Sequence, residues 1–108
     1  MTTAVLTAPK VGDILVSSWG YDQTNVDFYK VVGTTASGKS VKLIRIGQRI
    51  VEETGWAQET VVADPTFEVG DAFTRRFKPY GDGYSVKVRD YAWANLWDGR
   101  PRHQSHYA

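Results

Sequence analysis

The turn Tyr80-Gly81-Asp82-Gly83 and the six residues after it narrow the fold more than any other stretch of this chain. Asp-Gly next to glycine is a strong hairpin signal, because tight turns between strands need residues that accept positive φ. Beyond the turn, Tyr84, Val86 and Val88 alternate with Ser85, Lys87 and Arg89. A period of two with one apolar and one polar face marks a half-buried strand of an antiparallel sheet.

Similar segments recur along the chain. Gly12-Asp13 leads into a predicted strand at Ile14–Tyr21, Asp22-Gln23-Thr24-Asn25 supplies turn formers, and Val26–Val32 is a second strand, giving a hairpin. Ala36-Ser37-Gly38 is the next turn. Ser40–Ile46 follows as a strand with β-branched residues on both faces, ended by Gly47. Residues 48–60 are open between a helical turn and an irregular strand. Thr60–Ala63 reads as a strand stopped by Asp64-Pro65, and Ala72–Lys78 as another after Gly70-Asp71. One helix is expected: Asp90 as N-cap, Tyr91 to Trp97 as body, Asp98-Gly99 and Pro101 as stop. Leu96 and Trp97 are then structural residues buried against the sheet, with Trp93 on the same face. The expected fold is mainly β with some α: a small, strongly bent antiparallel sheet or SH3-like barrel of five to six strands with one short C-terminal helix.

The 108 residues suffice for one domain, 1–108, with 1–10 as a flexible lead and 100–108 as a C-terminal tail. Fourteen aromatics, four of them Trp, let so small a core bury much surface. The absence of cysteine rules out disulfides and thiolate metal sites. The first residues lack a basic, apolar leader, and no apolar run nears the ~20 residues of a membrane span. A cytoplasmic protein with no membrane partner is expected. Residues 1–71 hold six Lys/Arg and nine Asp/Glu, net −3; residues 72–108 hold seven and three, net +4. A basic C-terminal third can attract phosphate backbones or an acidic protein face, and a plain solvated surface has the same composition.

The stretch Ser18-Trp19-Gly20-Tyr21-Asp22-Gln23-Thr24-Asn25, running into Phe28-Tyr29, is richer in aromatic and hydrogen-bonding groups than a hairpin turn needs. Trp19, Tyr21, Asp22, Gln23, Asn25 and Tyr29 are the candidate binding residues. Asp22 and Asn25 suit locking the turn, Gln23 suits a partner contact, Trp19 and Phe28 lean towards core packing, and Tyr21 and Tyr29 towards the surface. Phe28 and Tyr29 must point oppositely, so one aromatic leaves the main core face. Arg75-Arg76 reads as a solvated face, and Arg75 is carried as a further binding candidate.

Gly33-Thr34-Thr35-Ala36-Ser37-Gly38-Lys39-Ser40 fits the phosphate-loop string GxxxxGK[ST]. That chemistry needs a helix beginning at the lysine. The following Val41-Lys42-Leu43-Ile44-Arg45-Ile46 is half β-branched, which favours a hairpin loop. His103 and His106 lack a third ligand at metal spacing. Asp22 and Asp27 flank the first turn without a matching catalytic partner. No catalytic residue, metal or cofactor is assigned.

Val11-Gly12-Asp13, the SWGYDQTN string with Phe28-Tyr29, Trp97-Asp98-Gly99 with Pro101, and Tyr107-Ala108 resemble a family of small proteins encoded by bacteriophages, prophages and conjugative plasmids. The resemblance spans Val11 to Ala108 and carries over no catalytic residue. It implies a mobile-element protein acting by binding in the bacterial host cell. The first expectation is contact with a host or mobile-element protein, modulating a host or defence component. The second is nucleic-acid binding through the basic C-terminal third, and the third is nucleotide binding or catalysis at Gly33–Ser40.

Overall fold

The computed structural model describes residues 9–20, 24–55, 58–81 and 83–105, the side chain of Thr54 apart. Seven strands follow in chain order: β1 (Ile14–Trp19), β2 (Asn25–Thr34), β3 (Ser40–Gly55), β4 (Gln58–Tyr80), β5 (Gly83–Arg89), β6 (Ala92–Leu96) and β7 (Arg102–Ser105). Among the described residues there is no helix, so none is long and apolar enough to cross a membrane.

Every pairing is antiparallel. The strand order is β3-β2-β1-β6-β5-β4-β7, and β3 also pairs with β4. The sheet therefore curls until strands near its two ends meet. It stops short of the expected SH3-like barrel, because β4 reaches β5 only through Phe77–Tyr80 and the ladder opens beside Val88 and Arg89.

The two longest strands produce the curl. β3 has 16 residues and β4 has 23, well beyond ordinary strand length. Their shared ladder shifts register four times, and such irregularities bend and twist a strand. The largest jump runs from Ile46↔Glu68 to Gly47↔Asp64, so residues 65–67 leave the ladder. Pro65 has no N–H to give it. Asp64 caps the excursion, accepting from Thr66 N at 3.2 Å and Thr66 Oγ1 at 2.6 Å. A Cβ on Gly47 would stand 3.2 Å from the Phe67 side chain, so the close crossing there favours glycine. The separate strands expected at Thr60–Ala63 and Ala72–Lys78 are thus one long β4, and residues 48–55 continue β3 rather than turning into helix.

Bending gives the sheet two cores. On the inner side lie Leu15, Tyr29, Val31, Val41, Leu43, Tyr84, Val86, Val88, Ala92 and Ala94. On the outer side of β1–β3 lie Val16, Val26, Phe28, Ile44 and Ile46, covered by Val61 and Ala63 of β4. Strands buried on both faces read as continuous apolar runs, which is why Ser40–Ile46 carries β-branched residues on both sides. Phe28 and Tyr29 do point oppositely, and each is buried in its own core.

The expected C-terminal helix is replaced by β6. Asp90 and Tyr91 form the two-residue turn of a β5–β6 hairpin in which Arg89 pairs with Ala92. Burial from 91 to 94 has period two: Ala92 and Ala94 are buried, whereas Tyr91 and Trp93 are exposed. Small residues inward and large rings outward fit a strand laid over the crowded inner core, not an amphipathic helix. Leu96 and Trp97 are half-buried on opposite cores. Trp97 sets its ring edge-on to Phe28 at 5.2 Å, and its Nε1 donates to Arg100 O at 2.8 Å. Trp93 does not share a face with Leu96. Much of the C-terminal tail is also ordered, since β7 pairs with Gln58–Val61 and Ser105 N donates to Thr24 O at 3.0 Å.

One hydrogen bond ties the start of β1 to β5. The buried Tyr84 hydroxyl donates to Asp13 Oδ2 at 2.8 Å. Burial first, then this bond and the charge of Asp13, push the Tyr84 phenol far above its ordinary value of 10.0. A folded-state value above the unfolded one gives stability that is complete below pH 10 and is lost as pH rises past it. Tyr84→Phe is expected to cost about 1.5–3 kcal/mol at pH 7, the worth of a bond to a charged acceptor. It is also expected to flatten the alkaline fall in stability. Urea unfolding from pH 7 to 11 checks both, and an unchanged alkaline slope would remove Tyr84 as its cause.

Candidate functional site

Asp27 sits in the apolar run of β2, opposite Ser17 of β1, with a side chain only 6% exposed. A carboxylate so placed is tolerated only when its oxygens are paired. Arg45 Nη2 of β3 donates to Asp27 Oδ1 at 2.9 Å, and Trp19 Nε1 of β1 donates to Oδ2 at 2.7 Å. Arg89 Nη2 of β5 stands 3.5 Å from the same Oδ2. The carboxylate thereby joins four strands at one rim of the curled sheet.

The network extends through rings. The Arg89 guanidinium lies over the Trp19 ring at 5.3 Å from its centroid, and Tyr91 packs against Trp19 at 5.2 Å. Burial, followed by the Asp27 charge, raises the Tyr29 phenol, and Arg89 and Arg45 only partly oppose this. Burial lowers the Arg89 guanidinium, but Tyr29, Asp27 and Tyr91 together outweigh it, so Arg89 stands above its ordinary value and remains a fixed cation.

Around this rim the surface is concave and basic. One cleft of about 350 Å³ is bounded by Trp19, Asn25, Asp27, Arg45, Gln48, Arg89 and Gln104. A second, also about 350 Å³, shares Arg45 and Arg89 with it and adds Tyr29, Phe73 and Arg75. A third, about 320 Å³, shares Arg75 and Arg89 with the second and adds Arg76, Lys87 and Trp93. Asp27 is already paired, which leaves Asp71 and Asp90 as the acidic groups lining these clefts. Two further cations lie on rings: Lys78 Nζ is 4.4 Å from the Trp93 centroid, and Arg75 is 4.8 Å from that of Phe73. Next to the rim, Ser18, Trp19, Gly20 and Tyr91 line a more apolar hollow of about 610 Å³.

Of the residues singled out in the sequence, Trp19 is half-buried and belongs to the Asp27 network. Asn25 pairs with Trp19 in the ladder and borders the first cleft. Tyr29, expected at the surface, is 3% exposed and meets Phe73 edge-on at 5.9 Å. Arg75 joins two of the clefts. Tyr21, Asp22 and Gln23 lie outside the described residues. Trp93 is exposed on the basic face rather than buried. Asp27, Arg45, Arg89 and Tyr91 were not singled out as site residues. The signal for Asp27 was a charge inside the run Val26-Asp27-Phe28-Tyr29, which demands a partner. Arg89 carried no such signal: the register shift between Lys87 and Arg89 sets it opposite inward-facing Ala92, off the outer face that strict alternation assigns it.

Gly33–Ser40 is a hairpin connection between β2 and β3. Thr35 Oγ1 accepts from Ser40 N at 3.2 Å, Gly38 N donates to Thr35 O at 2.9 Å, and Gly38 takes φ 71°. Strand β3 begins at Ser40, where a phosphate loop would begin a helix. His103 lies in β7 with its Nε2 3.2 Å from Gln58 Oε1. Among the described residues no three His, Cys, Asp or Glu side chains gather as metal ligands. No family model, curated protein or solved structure matches the chain.

Asp27→Ala leaves Arg89 and Trp19 Nε1 without their acceptor. The expected cost is about 1–3 kcal/mol, less than for a fully buried pair because both guanidinium groups reach water. Denaturant unfolding beside Arg45→Ala and the double variant measures the coupling, and additive losses would show that the pair is not cooperative.

Proposed function

We propose that this chain is a non-enzymatic binding protein of a bacteriophage or related mobile element, working in the bacterial cytoplasm, and that its rim and β4–β6 face take nucleic acid. The supporting observation is the gathering of Arg75, Arg76, Lys87 and Arg89 around one cleft with an exposed tryptophan in its wall. Fixed cations beside open rings suit a polyanion that carries flat bases, and they combine charge neutralisation with stacking. Arg75, Arg76 and Lys87 are the phosphate contacts in this reading, and Arg89 is held by Asp27 to define the rim.

A host or defence protein as partner is the second reading. It draws on the hollow between Trp19 and Tyr91, where an apolar anchor from a protein has aromatic walls to pack on. The hairpin at Gly33–Ser40 gives nucleotide binding less support, since no helix N-terminus faces it.

Phosphate-driven binding weakens steeply with salt. Binding of a mixed-sequence oligonucleotide, followed by anisotropy from 50 to 200 mM salt, is expected to lose affinity linearly on a double-logarithmic plot. Arg75→Ala, Arg76→Ala and Lys87→Ala are each expected to reduce the slope by about 1. Salt-insensitive capture of a host protein from lysate, surviving nuclease, would replace this reading with the second.

A further inference from the structure

We infer that the nucleic acid taken by this face is single-stranded, its unpaired bases stacking on Trp93 and Tyr91. This rests on the nucleic-acid reading above and adds the form of the ligand. Trp93 is 41% exposed and Tyr91 63%, on one hairpin, with Ala92 between them turned inward. Their Cα atoms are no more than about 7 Å apart, with Trp93 in the wall of the cationic cleft and Tyr91 against Trp19 beside the neighbouring hollow, within the reach of one short run of nucleotides.

The positions of the cations agree. Lys78 lies over the Trp93 ring, and Lys87 is its direct partner across the β5–β6 ladder. A base stacked on the other face of Trp93 has Lys78, Lys87 and Arg76 around it for its phosphate. Asp90, exposed at the turn, repels the backbone and directs it to the Lys87 side.

A duplex fits this surface poorly. Its bases are stacked on one another, and reading their edges takes a helix or ribbon projecting into a groove. Here Trp93 sits within the β5–β6 ladder as the wall of a concave cleft, not at the tip of an element that could enter a groove. Stacking on an exposed aromatic is indifferent to sequence, because every base has a flat face.

The test uses the whole chain with two fluorescein-labelled probes at one salt concentration: a 20-nucleotide oligo(dT) and a 20-base-pair duplex. The single strand is expected to bind at least about tenfold more tightly. Trp93→Ala is expected to weaken oligo(dT) about 5- to 150-fold, the usual loss when one stacking ring is removed, while leaving duplex binding little changed. Trp93→Phe is expected to restore most of the loss, which a purely structural role of the indole would not allow. Circular dichroism and melting of each variant establish that it is folded. Equal affinity for both probes, or a folded Trp93→Ala that binds oligo(dT) normally, overturns the inference and leaves nucleic-acid binding standing. Binding of neither probe overturns both.

Discussion

The Asp27 carboxylate is the constraint on which the rim of the curled sheet depends. It stands in a strand covered on both faces, so it has to be satisfied from within the sheet. Its acceptors draw Trp19 from β1, Arg45 from β3 and Arg89 from β5 to one rim. Those three side chains then fix what the rim can present: one indole, two guanidinium groups and, through Trp19, the Tyr91 ring. The contacts that satisfy this buried charge also fix the arrangement of the groups around it.

The second constraint is mechanical. A sheet of this size wraps itself only if some strands bend, and β3 and β4 do so through successive register shifts and the excursion at Pro65. Bending permits an inner core and an outer one from a single sheet. It also leaves β4 apart from β5 beside Val88 and Arg89, and the clefts of the basic face occupy that opening. The same curvature that buries the apolar residues thus separates the strands where the cations gather.

Local chemistry was legible in the sequence. The β1–β2 hairpin, the loop before β3 and the alternation of Tyr84 to Val88 follow from turn residues and a period of two. The stretch from Asp90 to Trp97 was misread because its start and stop signals suit a helix, while the deciding fact is tertiary: Ala92 and Ala94 fit where only small side chains can face the inner core. Tyr29 was expected outside because one of two adjacent aromatics had to leave the main core, and a second core was not foreseeable from spacing. Arg75 was within reach of charge reasoning. The Asp27 network was not, since it depends on the pairing of Ser17 with Asp27 and on one register shift near Val88.

The pairing of β1 with β6 has a kinetic consequence. Leu15 finds Leu96, Asp13 finds Tyr84, and Thr24 finds Ser105 across 81 residues of chain. Loops of that length are closed before any of their contacts are rewarded, so folding belongs to the slow, millisecond-to-second class of non-local β topologies. During synthesis the inner faces of β1, β2 and β3 emerge long before β5 and β6 exist to cover them. Until β5 and β6 follow, the apolar faces of the first three strands stay open to solvent.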